Sequence, residues 1–225
     1  MIAGGKCANL RTGMRFCFTL FAAAILSAQA PQSKPAEILE GEGAAPRAAS
    51  TDYQAQGKAG AYTIAAEFAG HSIPTPDGPL STEDYIVVEA AIFGDPGAKL
   101  AVSYRDFSLR VNGAKKIVDG ESYAVVDVKD PDWAPPQAEK SKTTFGSGGN
   151  SGGADGPPVP PKVPFDVQRK LVLRVKKLSF PEGERPLPRA GLLFFKYHGK
   201  EKGIHSLELI YSGPAGNATL ALNPL

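Results

Sequence analysis

Along much of the chain, apolar and polar positions alternate with the two-residue period of strands. Tyr62, Ile64, Ala66 and Phe68 fall on one side of such a segment and Thr63, Ala65 and Glu67 on the other, a pattern that predicts a strand with one buried face. "DYIVVEAAIF" follows. Ile86, Val88, Ala90 and Ile92 alternate with Tyr85, Val87, Glu89, Ala91 and Phe93, so both faces are largely apolar and the strand belongs in the middle of a sheet. Leu100, Val102 and Tyr104 alternate again, as do Phe107, Leu109 and Val111, and Asn112-Gly113 predicts a two-residue hairpin that closes this strand onto Lys116–Val118. Tyr123–Val128 reads as another short strand.

After Pro164 the period changes once. Val167, Leu171, Val175 and Leu178 are spaced by four, four and three, which predicts a helix over 166–178 with one apolar stripe. Asp166 is its candidate N-cap, and Lys176 and Lys177 suit the negative end of its dipole. Leu171, Leu173 and Val175 also alternate as a strand would, and the pattern alone leaves that alternative open. Three more strands follow, "GLLFFKYHG", "IHSLELIYSG" and "NATLALNPL", joined by "KEKG" and "GPAG" and expected in meander order. Short β-branched and aromatic segments between regular turns predict an all-β antiparallel sandwich with a single helix.

Between the two groups of strands lies "TTFGSGGNSGGADGPPVPPKVP", which has the composition of a spacer. It raises the question of whether two domains are joined or one is interrupted. Ile86–Phe93 and Leu192–Phe195 each need covering on both faces, and neither half of the chain has enough elements to do so alone. Closing a loop of about 35 residues instead of about 5 adds only about 1.7 kcal/mol. Burying a few large side chains at roughly 1.5–3 kcal/mol each outweighs that. The expected organisation is one β-sandwich domain over 59–225, carrying a flexible insertion at 130–164.

Two segments precede it. Lys6, Arg11 and Arg15 lead into an apolar run, Phe16–Leu26, that ends on Ser27-Ala28-Gln29-Ala30. Such a pattern predicts a secretory signal peptide over 1–30, cut near Ala28 or Ala30, and hence a secreted or periplasmic chain. The run is about half the roughly 20 residues that a membrane-spanning helix needs. Both cysteines, Cys7 and Cys17, lie inside the 1–30 leader, so the mature chain is expected to fold without disulfides and to depend on its core. Residues 31–58, rich in Pro, Ala, Gly and charge, read as a disordered tether.

Charge narrows the function. The chain holds 25 Lys+Arg and 23 Asp+Glu. Without the basic residues of the leader it is about one charge acidic, with no global field to draw in nucleic acid. No zinc-protease, nucleophile-elbow or phosphate-loop motif occurs, and no cofactor is expected.

The order of four segments, "DYIVVEAAIF", "YRDFSLRVNGAK", "PEGERPLPRAGLLFF" and "LELIY", resembles that of a family of bacterial secreted immunoglobulin-like (telokin-like) sandwich domains. The resemblance spans about residues 60–222 and implies a fold and a compartment rather than a catalytic residue. "GDPG" stands where that family has an Asn-rich turn, and the insertion before Pro164 is not typical of it.

Few residues carry candidate chemistry. Arg169, Lys170, Arg174, Lys176 and Lys177 make the helix basic, a candidate contact for anionic lipid or wall polymer. Asp130 and Asp132 beside Trp133 form a candidate recognition loop, since acids next to an aromatic ring also occur in glycosidase sites. His198 and His205 flank "GKEKG" and would face each other across a hairpin, with Glu201 between, though turn histidines are far more often plain surface groups. The expected function is a non-enzymatic extracytoplasmic binding or structural accessory module. Its partner, a protein or envelope component, and its oligomeric state are left open. The alternatives are an envelope-surface adaptor acting through the basic helix and a carbohydrate-active hydrolase.

Overall fold

Among the described residues the chain forms twelve strands and one α-helix. A computed structural model describes residues 41–134 and 163–224. The strands are β1 (Ala55–Ala59), β2 (Tyr62–Gly70), β3 (Ser72–Ile73), β4 (Leu80–Ser81), β5 (Tyr85–Phe93), β6 (Lys99–Val102), β7 (Phe107–Val111), β8 (Val118–Glu121), β9 (Gly183–Pro186), β10 (Arg189–Lys196), β11 (Leu207–Gly213) and β12 (Gly216–Leu222), with helix α1 at Phe165–Leu178.

Eight strands follow the order β1-β2-β5-β10-β8-β7-β11-β12, all antiparallel. Short β8 is the corner where this sheet folds over. Glu121 and Gly120 pair with Phe194 and Phe195 of β10, whereas Asp119 and Val118 pair with Ser108 and Leu109 of β7. Two layers result. Ile64, Phe68, Ile86, Val88, Leu193 and Phe195 of one layer pack on Phe107, Leu109, Leu207, Leu209, Tyr211, Leu220 and Leu222 of the other. Inside, the Phe107 ring lies 5.0 Å from Tyr211 and 5.1 Å from Phe180. The fold is an all-β sandwich.

Strands from the two sides of the Gly/Pro tract interleave. β5 pairs with β10 from Tyr85↔Lys196 to Ile92↔Arg189, and β7 pairs with β11 from Phe107↔Tyr211 to Val111↔Leu207. The described residues all lie in one compact unit that runs from Ile38.

The apolar pattern of β5 and β10 is explained by a third layer. Tyr85, Val87, Leu192 and Phe194 face away from the sandwich interior and are covered by Leu171 and Val175 of α1 with Tyr123, Val126 and Val128. Further along, Ala65, Ala91 and Ala190 lie beneath Tyr53. Residues 166–178 are thus helical, and the apolar stripe faces the sheet. The cap differs from expectation. The helix starts at Phe165, the Pro164 carbonyl accepts from the Gln168 N–H at 3.0 Å, and Asp166 stands in the first turn instead.

Four further expectations are corrected. The tether proposed for 31–58 does not hold from Gly41 onward, and residues 31–40 lie outside the described ones. This strap is fixed by backbone bonds, by Arg47 and by the one bulky side chain it buries, Tyr53. The N–H groups of Glu42, Gly43 and Ala44 donate to the carbonyls of Lys176, Ser179 and Ala190. Arg47 ion-pairs with Glu67 and Glu89 and lies over the Tyr53 ring, and β1 then pairs with β2. Next, Asn112 and Gly113 do adopt positive φ, Ala114 N–H donates to the Val111 carbonyl, and β7 does close onto Val118. Lys116 and Ile117 belong to the connection, however, and Leu109 is the residue opposite Val118, so the register differs from that of a two-residue hairpin. Asn112 turns instead to the loop before β11, where its Oδ1 accepts from the N–H groups of His205 and Ser206. Third, Tyr123–Val125 is a 3-10 turn, started by the Ser122 hydroxyl accepting from Ala124 N–H. Tyr123 of this turn, with Val126 and Val128 after it, fills the space under α1 where a strand was expected. Last, β10 and β11 are not neighbours, because the chain crosses from one layer to the other between them; of the three strands expected in meander order, β11 and β12 alone form a hairpin.

Candidate functional site

The five basic residues of the helix part company. Leu171 and Val175 face the sheet, so residues on the opposite arc of a 3.6-residue helix must face outward. Arg169, Lys170 and Lys177 are exposed there, while Lys176 is half-buried. Arg174 sits on the flank and is consumed by structure. Its Nη2 donates to the Thr75 hydroxyl at 2.6 Å and to the Gly78 carbonyl at 3.0 Å. Nη1 lies 3.7 Å from Asp130. Nε lies 3.5 Å from Asp77 without completing a hydrogen bond. Arg174 therefore clamps the β3–β4 loop and the chain after Lys129 to the helix, and it leaves the set of candidate surface contacts.

Two apolar side chains share the outward arc with the remaining cations. Phe165 is 81% exposed and Leu173 is 49% exposed. A stripe analysis of the inward face does not find them, because it scores what can be buried. Their signal was residual: after one apolar row is assigned to the core, these two have no place in it.

The loop residues Asp130, Asp132 and Trp133 lie beside the first turns of the same helix. Asp130 Oδ1 accepts from Asp132 N–H at 3.0 Å, closing a tight turn, and its other oxygen faces Arg174. Asp132 is exposed and Trp133 half-buried. With Val163, Gln168 and Leu171, the loop borders a cleft of about 220 Å³. Of the two sets of candidate residues, far apart in sequence, Arg174 and Asp130 are brought together; none of the five basic residues lines the cleft.

The histidine reading finds no shared centre. His198 Nδ1 lies 2.9 Å from Asp84 Oδ1, while the backbone N–H of His205 is bound by Asn112. Among the described residues no group of three or more His, Cys, Asp or Glu could hold a metal ion.

A second concavity, at the corner strand, was not expected from the sequence. Asp119 and Glu121, two apart on β8, point to the same side and border two open clefts of about 480 and 400 Å³. Tyr104 and Arg105 flank one, and Lys116, Ile117, Lys196 and His198 the other. Tyr85 donates its hydroxyl to Glu121 at 2.9 Å. Burial and the adjacent carboxylate push the Tyr85 phenol up to about 12. No single motif encodes this corner, since β8, β5, β10 and the turn after β6 each supply one part.

Among the described residues no helix is long and apolar enough to cross a membrane. No family model matches the chain, and no curated protein or solved structure matches it.

Proposed function

We propose that the protein is a non-enzymatic extracytoplasmic binding module that contacts an envelope component through the outward arc of α1. The observation that carries this reading is the division of labour on that helix. Leu171, Val175 and Arg174 fix its position on the sheet, and Arg169, Lys170 and Lys177 are left as unused, exposed cations. A charged surface held by a rigid scaffold costs little to order on binding. The leader-like sequence of residues 1–30 supports an extracytoplasmic compartment, as does the resemblance of the segment order to that of secreted immunoglobulin-like domains.

The test has two parts. N-terminal sequencing of the released chain should begin at Gln29 or Pro31. Purified protein should be retained on an isolated envelope fraction in low salt and released as salt rises, since exposed charges are screened over about 10 Å at 0.1 M. The triple variant R169E/K170E/K177E should not be retained. Retention that is indifferent to both charge reversal and salt overturns the reading.

A further inference from the structure

We infer that the surface met by α1 is an anionic lipid interface, with Phe165 and Leu173 entering it while Arg169, Lys170 and Lys177 meet the headgroup charges. This rests on the reading just given and narrows it from any polyanion to lipid.

The distribution of exposed apolar side chains makes the argument. Single exposed apolar residues are ordinary on protein surfaces. Among the described residues the large exposed ones are Ile117, Val125, Val163, Phe165 and Leu173, and three of these five belong to α1 or its approach. Phe165, Arg169, Leu173 and Lys177 are spaced by four, which places them in one slowly turning row, and Lys170 stands beside it. Asp166 is the only acidic residue of the helix.

A soluble polyanion would use the three cations and leave Phe165 and Leu173 in water. A headgroup layer accepts both classes at once, because phosphates sit directly above acyl chains that take up an aromatic ring and a leucine. The inward face of α1 is already buried on the sandwich. The helix therefore cannot roll over to offer its main apolar stripe, and the contact must be shallow. Shallow apolar insertion joined to a few basic residues gives reversible binding that depends on charge.

The full chain is tested by co-sedimentation with phosphatidylcholine vesicles, with and without phosphatidylglycerol, and by binding to soluble dextran sulfate. Residues 1–30 are common to all variants, so each result is read as a difference between variants with matching thermal melts. F165S/L173S should weaken binding to phosphatidylglycerol vesicles by about tenfold or more, the scale of one large apolar side chain left in water. It should leave dextran sulfate binding unchanged. R169E/K170E/K177E should abolish both. Vesicle binding by F165S/L173S equal to that of the parent overturns the lipid inference. If charge reversal still lowers dextran sulfate binding in that case, the basic face survives as a polyanion site. If charge reversal alters neither probe, the face itself is wrong and the lipid inference falls with it.

Discussion

Arg174 separates a structural from a surface role on one helix, and its truncation to Ala has a calculable cost. The guanidinium donates two hydrogen bonds, to Thr75 and to Gly78, from a side chain that is only 20% exposed. Hydrogen bonds from charged groups contribute about 1.5–3 kcal/mol each. Asp77, at 3.5 Å, is 75% exposed, and a carboxylate so well solvated adds little. Asp130, at 3.7 Å and 26% exposed, would lose its nearest cation. After allowing for water entering the vacated site, a net loss of about 2–4 kcal/mol remains. For a chain of this size each kcal/mol moves the melting temperature by roughly 2–4 °C, so R174A should melt about 5–15 °C lower. R169A, which removes an exposed cation from the same helix, should change stability by no more than about 0.5 kcal/mol.

Calorimetry on the two variants side by side is the first assay. Hydrogen exchange is the second and reads the location of the damage. The Gly78 amide, which donates to the Thr75 carbonyl at 3.1 Å, should lose protection in R174A before the amides of β5 and β10 do. R174K should recover only part of the loss, since an ammonium cannot reproduce the planar fork. Equal melting of R174A and R169A would refute the clamp, and Arg174 would return to the exposed basic set.

Two other outcomes follow from the same geometry. Tyr85 has its phenol pushed up to about 12 by burial and by Glu121. Its contribution to stability is thus complete below the unfolded value near 10 and is lost as pH rises from there through the folded value. Burial also raises Tyr53, Tyr123 and Tyr211, so tyrosinate absorbance should show a late-titrating group of phenols that Y85F reduces by one. A protease site placed within residues 143–162 should give two fragments that co-elute and melt in one transition, because β5 with β10 and β7 with β11 pair across the cut. Fragments that separate under native conditions would count against a shared interior.

What could be read from the sequence follows how local the cause is. The alternation of Ile86–Phe93 and the four-four-three spacing of Val167–Leu178 are local, and both elements formed where the pattern placed them. The double-sided apolar character of Leu192–Phe195 correctly demanded a second cover, and α1 is part of it. The strap at 41–53 was missed because its anchors are backbone amides, Arg47 and the single buried ring of Tyr53, too few apolar positions to make a hydrophobicity pattern. At Asn112-Gly113 the turn chemistry and the partner strand were right and the register was not: Leu109 pairs with Val118, across a connection longer than a two-residue turn. The Asn112 side chain is held by the loop before β11, a partner more than 90 positions away, and such a tertiary contact is not legible in the local pattern. For the candidate site, residue types pointed to the helix and to the 130–133 loop but not to their meeting at Arg174. The β8 corner was invisible because its residues come from elements that sequence reading treats separately.

The way the outer layer is built also dictates which experiments can speak about function. Val87, Leu192 and Phe194 are buried in a cluster to which α1 and the 123–128 segment supply much of the cover, with Ile73 and Leu80 beside them. Removing the insertion together with the helix would expose three large apolar side chains on central strands and create an apolar patch of the kind that drives non-specific association. Lost or gained binding by such a deletion would report on that patch rather than on recognition. Substitutions confined to Phe165, Arg169, Lys170, Leu173 and Lys177 leave Leu171, Val175 and Arg174 in place, and with them the cover of the sheet. The helix both closes the core and presents the surface. Only changes on its outward arc separate the two roles, and a binding defect there, with the melting transition unmoved, assigns recognition to that arc.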